Sequence, residues 1–403
     1  MKKAMISEPS SKAPVDRGGR ATRERIIQVA QSVLNDPSAT DLTLKHIAAR
    51  LDMHYTVVYH YFKSRDDLEC ALIERYSQRR SKNLAIASAL PGTAATKLRH
   101  FVEREMHEHP TPLILSARTT LSGSFRQRAF QSHRNNRQEL QLFINEGISE
   151  GCFRRVDTNQ ASHLINRILD RFANSEYIIS QAHLSANELA GELVDFFSYG
   201  LSNEKYRHET AVPVIPAEFS GVGESQLDRM LLAATTSFNL KGWKGTSIPV
   251  VAASLNMSKT VFYSYASTKE ELLFLCANRT LSLSAQVRQK ASAVAENPLH
   301  ALMLEIWYLR ELLSQIPGQL LSPFLFRQLS DKRRKVIDEI YQSYRLQLVE
   351  RLRHCVDKGL TRPLNPLVVQ PMITACGYLP INDEFHTDSV NNLMLQGINE
   401  HMK

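Results

Sequence analysis

Apolar residues recur along this chain at three- and four-residue intervals rather than in alternation, so the pattern predicts helices throughout. Ile26, Ile27, Ala30, Val33 and Leu34 mark one face of a first helix. Leu44, Ile47, Ala48 and Leu51 mark a short second one, with Thr43 placed as its N-cap. Asp52 follows where a tight turn needs a left-handed residue, a conformation that Asn and Asp tolerate best after Gly. A third helix then begins at once. At about 100° per residue, Val57, Val58 and Tyr61 turn one way and Tyr55, Thr56, Tyr59 and His60 the other. The predicted unit is helix, tight turn, helix.

The same pattern returns further along. With Tyr263 set over Tyr59, an offset of 204, no gap is needed. Ala48, Ala49, Leu51, Met53, Thr56, Val57, Tyr59, Tyr61 and Leu68 meet Ala252, Ala253, Leu255, Met257, Thr260, Val261, Tyr263, Tyr265 and Leu272. Met230, Leu231, Ala234 and Phe238 repeat the first helix. Thr246 or Ser247 serves as the cap of the second, Pro249 suits its first turn, and Asn256 stands at the turn. In the third helix Val261, Phe262 and Tyr265 are expected inward, and Lys259, Thr260, Tyr263 and Ser264 outward. A long-period duplication of this kind sets the architecture of a whole chain.

The outward row of the third helix carries the chemistry. Hydroxyls, a Lys, a His and aromatics suit a helix laid in a major groove. Lys reads guanine, Thr contacts bases or the thymine methyl, and Tyr hydroxyls bond phosphates. The competing reading is an ordinary amphipathic helix with a solvated polar side. Two copies with the same turn class, the same Tyr and the same following cation weigh against it.

Each unit resembles the DNA-binding domain of the TetR family of transcriptional regulators. The resemblance rests on Ile47-Ala48, Asp52, His54-Tyr55-Thr56, Tyr59, Phe62 and Arg65-Asp66-Asp67. In the second copy it rests on Val251-Ala252, Asn256, Ser258-Lys259-Thr260, Tyr263 and Lys269-Glu270-Glu271. It covers roughly fifty residues twice. The departures are the absence of Gly at the turn and at Thr56 and Thr260, His54 and Tyr55 in place of a Ser-Lys start, and Ala266 in place of an aromatic. The residues expected to contact DNA are Thr43, His54, Tyr55, Thr56, Tyr59, His60 and Arg65, and Thr246, Ser247, Ser258, Lys259, Thr260, Tyr263, Ser264 and Lys269.

Charge follows the same division. The chain has 403 residues and a formal net charge of +8. Residues 17–82 hold twelve Lys and Arg against eight acids and residues 224–290 hold eight against four, so each DNA-binding segment carries +4. Positive charge therefore sits where phosphate contacts are expected. Five cysteines with no CxxC pair argue for reduced thiols, not a disulfide framework or zinc site. No stretch approaches eighteen apolar residues, and the expectation is a soluble cytoplasmic protein without membrane contact.

The fold class expected is all-α: two helix-turn-helix domains, each followed by a helical effector-binding and dimerisation domain, arranged as an intramolecular pseudo-dimer. The divisions are a disordered basic tail over 1–19, helix-turn-helix domains over 20–66 and 224–270, helical domains over 67–202 and 271–403, and a linker over 203–223. Long charged helices should end at Gly151 and Gly359. The resemblance implies that the last two helices of each half, near 158–180 and 186–200 and near 364–379 and 387–401, form the dimer interface. It also implies a double-stranded DNA operator as partner and release by a small effector. An apolar or aromatic molecule is the first choice and an acyl-CoA the second, with no cofactor. Phe101, Met106 and Phe125, and Trp307, Tyr308, Phe326 and Tyr344, are candidates to line the pocket, although aromatics at helical spacing are also plain core. Self-association of whole chains is left open.

Two rival classes were weighed. Catalysis lacks support: no histidine follows a Glu by three residues, and no GxGxxG or Walker A motif occurs. The other rival is a degenerate TetR-like interaction protein in which one or both DNA-binding domains no longer read DNA, with His54 and Ala266 as its support.

Overall fold

The computed structural model describes residues 17–35, 43–107, 121, 123–172, 182–201, 225–315, 320–377 and 387–398. The first half runs α1 (Arg17–Asn35), α2 (Leu44–Arg50), α3 (Tyr55–Tyr61), α4 (Arg65–Ser88), α5 (Ala94–His107), α6 (Gly123–Ser149), α7 (Thr158–Arg171) and α8 (Ala186–Tyr199). The second runs α9 (Gln226–Gly245), α10 (Ile248–Ser254), α11 (Lys259–Tyr265), α12 (Lys269–Val294), α13 (Pro298–Gln315), a 3-10 turn (Pro323–Gln328), α14 (Asp331–Asp357), α15 (Pro366–Gly377) and α16 (Thr387–Gln396). The expected linker, and the tail as far as residue 16, lie outside the described residues. Arg17–Gly19, read from the sequence as the end of a disordered tail, belong to the first turn of α1.

The two short units close in the same way. Thr43 caps α2 by accepting from the His46 amide. At the turn Asp52 and Asn256 adopt φ of 51° and 52°, the left-handed geometry expected of them. The following amides bond identically, Met53 to the Ala48 carbonyl and Met257 to the Ala252 carbonyl, both at 3.0 Å. Ile26, Ile27, Ala30, Ile47, Val58 and Phe62 form the first small core. Met230, Ala234, Phe238, Val251 and Phe262 form the second, where Ala266 is buried in place of Phe62. The second core also takes in Leu321, Leu325, Phe326, Leu329 and Ile337 from beyond α13.

One expectation about the third helices is corrected. Val57 and Val261 were placed inward, yet each is 38% exposed. A seven-residue helix packs by one narrow stripe, here Val58, Tyr61 and Phe62, and a residue 100° from its centre sits on the shoulder.

The longer helices of both halves build one continuous core. It runs from Leu98, Phe101, Leu164 and Ile168 through Leu193 and Phe197 to Leu302, Leu352, Val369, Met372 and Met394. α7 packs against α15, and α8 against α16. Where the halves meet, the backbone contacts are reciprocal. Leu201 N–H donates to the Met394 carbonyl and Ile398 N–H to the Phe197 carbonyl, both at 2.8 Å. Arg154 N–H donates to the Ile398 carbonyl at 2.8 Å and Arg362 N–H to the Leu201 carbonyl at 3.1 Å. The side chains repeat the exchange: Arg154 Nε reaches the Gly397 carbonyl at 2.8 Å and Arg362 Nε the Gly200 carbonyl at 2.7 Å. The same groups appear on both sides with roles exchanged, as in a two-fold contact. α6 and α14 do end at left-handed Gly151 and Gly359, the points from which Arg154 and Arg362 are presented.

Beneath the first unit lies a buried polar nest joining α4, α5 and α7. Arg80 Nε donates to Glu105 at 2.9 Å and its Nη1 to Asp170 at 2.8 Å and Asn166 at 3.0 Å. The Tyr76 hydroxyl donates to Asp170 at 2.8 Å and the Asn83 amide to Glu105 at 2.8 Å. Burial pushes the Tyr76 hydroxyl well above its ordinary range. The same burial works against the charge on Arg80, but Tyr76, Asp170 and Glu105 outweigh it and hold the guanidinium charged.

Candidate nucleic-acid interface and interior sites

α3 and α11 present matched exposed rows. Tyr55 is 48% exposed and Tyr59 40%, against 44% for Tyr263. Thr56, His60, Lys259, Thr260 and Ser264 are exposed as well, as are Val57 and Val261, which the sequence reading had turned inward. Ser258 caps α11 by accepting from the Val261 amide at 3.3 Å. His54 holds the same position before α3 without a capping bond, and its Nδ1 instead lies 2.8 Å from Thr56 Oγ1. The rings of His54 and Tyr55 stand 4.6 Å apart, and Tyr55 meets Tyr59 edge-on at 6.0 Å.

Other expected contacts sit differently. Thr246 is buried, with its hydroxyl donating to the Gly242 carbonyl at 2.9 Å, so it braces the end of α9 and is withdrawn from the surface. Ser247 occupies the cap position of α10, exposed and without a side-chain capping bond. Thr43, exposed, spends its hydroxyl on the cap. The matched cations are held within their units: Arg65 Nε donates to Glu69 at 2.6 Å, and Lys269 Nζ lies 4.6 Å from the Trp243 ring centroid. Partial burial lowers the proton affinity of Lys269. A phosphate would have to compete for either cation. Lys63, which the motif comparison passed over, puts its ammonium on the Tyr59 and His60 carbonyls, both at 3.2 Å, and sets a cation at the end of α3.

The joint below α11 depends on ionised carboxylates. Glu271 accepts from the Ser267 amide at 2.9 Å, and Glu270 from the Ser330 amide at 3.0 Å. Bonds from Ser267 hold Glu271, and bonds from Ser330 hold Glu270, below the usual carboxylate range. A depressed folded value means that the contribution is complete above the unfolded value of 4.5 and is lost as pH falls through the folded one. Amide protection at Ser267 and Ser330, corrected for intrinsic exchange, is therefore expected to hold at pH 4.5 and to fall as the pH drops further below it. Glu270→Gln/Glu271→Gln should abolish that dependence, and unchanged protection in the parent protein would refute it.

The residues proposed to line an effector pocket do not converge. Phe101 and Met106 are buried in the continuous core, and Phe125 packs beside Ile73 and Tyr76. Trp307 and Tyr308 lie in a separate cluster with Leu283 and Leu304, and Phe326 closes the core under α9. Tyr344 borders a cleft with Val287, Arg288, Glu305, Ile306 and Ile373. There the Tyr344 hydroxyl donates to Glu305 at 2.8 Å, Arg351 donates to Glu305 at 2.9 Å, and the Arg288 guanidinium lies 4.1 Å from the Tyr344 ring centroid. Burial raises Glu305 despite these partners. Helical spacing serves core and pocket equally, so sequence periodicity could not separate them.

With this geometry established, residues 230–276 match the family model for bacterial regulatory proteins, tetR family. The second helix-turn-helix unit is thus similar to the DNA-binding part of that family. A segment of 59 residues is 41% identical to an uncharacterised HTH-type transcriptional regulator in the dhlA 5' region of Xanthobacter autotrophicus, covering 15% of this chain and 29% of that protein. The chain thus spans less than a third of the length of this relative. Among solved structures, a TetR-family regulatory protein from Rhodococcus RHA1 is 18% identical with a TM-score of 0.38, over 43% of this chain and 93% of its own. The fatty acid degradation regulator FadR from Bacillus halodurans is 16% identical with a TM-score of 0.38, over 46% and 96%. FadR from Bacillus subtilis, solved in complex with stearoyl-CoA, is 16% identical with a TM-score of 0.37, over 43% and 96%. In this chain the second unit sets Tyr263 outward on α11 with Phe262 buried behind it. The first unit sets Tyr59 outward on α3 with Val58 behind it.

Proposed function

We propose that this chain is a sequence-specific DNA-binding transcriptional regulator whose two TetR-like units act as an intramolecular pseudo-dimer on one operator. The observation that carries the reading is the pair of matched exposed rows, Tyr55-Thr56-Tyr59-His60 and Lys259-Thr260-Tyr263-Ser264, each on a short helix braced by its own small core. The reciprocal backbone contacts around Gly200 and Gly397 support the pseudo-dimer, because they repeat the self-complementary pattern of two identical subunits inside one polypeptide. Two recognition helices then serve two major grooves one turn apart, about 34–36 Å. Since the rows differ, the operator is an imperfect palindrome.

The mode of action in this reading is repression relieved by a small apolar effector, which shifts the population away from the spacing that DNA matches. Of the two supports of the degenerate reading, Ala266 is buried in an intact core, whereas His54 makes no capping bond at the start of α3, so the first unit is the one to test.

Replacing Tyr59 or Tyr263 singly with Phe removes one hydroxyl from each row. Each is expected to weaken operator binding about three- to tenfold, the worth of one hydrogen bond, with no change in melting temperature. Fluorescence anisotropy on a selected operator checks this, and a variant with unchanged affinity would show that its unit does not read DNA.

A further inference from the structure

The two rows differ in hydrogen-bonding capacity as well as in sequence. In α11, Lys259 is exposed and presents an ammonium with three donors. Among the described residues no hydrogen bond engages the neighbouring Thr260 hydroxyl. Ser264 beside them has already donated its hydroxyl proton to the Val261 carbonyl at 2.7 Å and can only accept. Donors in this row therefore come from Lys259, Thr260 and the Tyr263 hydroxyl.

In α3 the matching places are filled otherwise. Tyr55 stands where Lys259 does, and its ring is packed between His54 and Tyr59 at 4.6 Å and 6.0 Å. The Thr56 hydroxyl is engaged by His54 at 2.8 Å. What this row offers a groove is an aromatic surface from Tyr55 and Tyr59 and the exposed methyls of Val57. Beyond the Tyr55 and Tyr59 hydroxyls, His60 stands at its far end and meets the Tyr61 ring edge-on.

Base edges in the major groove sort these two surfaces. Guanine alone offers two adjacent acceptors, O6 and N7, which suit a Lys donor, and thymine alone offers a methyl group for apolar contact. Resting on the DNA-binding reading above, we propose that the second unit reads a guanine through Lys259, while the first reads thymine through the Tyr55 face at the equivalent position. The operator is then unlike at that position for a stated chemical reason. The parts of each half-site read by the shared Tyr59/Tyr263 and Val57/Val261 are alike, and His60 stands at the place of Ser264.

The test is a random-oligonucleotide selection with the full-length protein, repeated with His54→Ser/Tyr55→Lys and with Lys259→Tyr. The wild-type protein is expected to enrich a two-part site with guanine in one half and thymine at the matching place in the other. His54→Ser/Tyr55→Lys should convert the thymine to guanine and make the site symmetric at that position, at a loss of roughly ten- to a hundredfold on the wild-type site. Lys259→Tyr should erase the guanine preference. Circular dichroism melts check that both variants fold, since all three positions are exposed. A palindromic wild-type site with guanine in both halves would overturn the proposal. So would an asymmetric site whose bases do not respond to the substitutions. Failure of the folded wild-type protein to enrich any sequence would instead overturn the DNA-binding reading, and this proposal with it.

Discussion

Gly397→Ala is expected to prise the two halves apart at their C-terminal ends. Gly397 has φ of 64°, and a Cβ there would lie 2.4 Å from the Ser198 carbonyl carbon and oxygen and the Tyr199 nitrogen. These are backbone atoms, which cannot rotate away as a flexible side chain can. Overpacking of this kind costs about 1–3 kcal/mol. The left-handed conformation adds roughly 1–2 kcal/mol for a residue with a Cβ. The shift also threatens the 2.8 Å bond from Ile398 N–H to the Phe197 carbonyl and the Arg154 contact beside it.

Gly200→Ala should behave alike from the other side, where its Cβ would meet Leu395 and Gln396 backbone at 2.4 and 2.5 Å. Gly191→Ala is the control. It lies inside α8 with nothing near its missing Cβ, so it should be neutral or stabilise by about 0.5–1 kcal/mol. Differential scanning calorimetry of the three variants decides the matter. If Gly397→Ala melted with the parent protein, the close approach would carry no weight. Operator affinity measured in parallel should fall with the same variants, because the spacing of α3 and α11 depends on this contact in the proposed mode of binding.

Arg80→Ala should have the second large effect. The guanidinium is 3% exposed and is the shared partner of Glu105, wholly buried, and Asp170, 7% exposed. Its removal leaves two carboxylates in a closed interior without their cation. Breaking a buried pair from one side costs about 3–5 kcal/mol, since desolvation persists after the attraction is gone. The same physics predicts that Arg80→Met with Glu105→Gln and Asp170→Asn recovers most of the loss, because no charge is then stranded. Thermal melts of the single and triple variants separate this account from simple loss of packing, in which the triple variant would be no better than the single one. A destabilisation below about 1 kcal/mol for Arg80→Ala alone would refute the role given to the nest.

Legibility in the sequence followed the range of the interactions. The left-handed turns at Asp52 and Asn256, the Thr43 cap and the outward Tyr59 and Tyr263 were read correctly, since each depends on residues within a turn of helix. Val57 and Val261 were misplaced because periodicity gives the direction of a stripe but not its width. Arg17–Gly19 were assigned to the tail on composition, whereas they begin α1. Of the aromatic residues named as pocket lining, Phe101 and Trp307 are core, and nothing in their spacing could have said so.

What the sequence by itself determined is the helical unit, its turn geometry and most of the chemistry it shows to solvent. These follow from backbone preferences and helical phase, which act locally. The tertiary structure alone decided which distant groups share an interior. It brought Tyr76, Arg80, Glu105 and Asp170 into one nest, and Gly200 and Gly397 within van der Waals range of each other's neighbours. Such meetings depend on how whole helices pack, and the free energy of burying a charge or seating a backbone is set by its final surroundings. No local pattern carries that information.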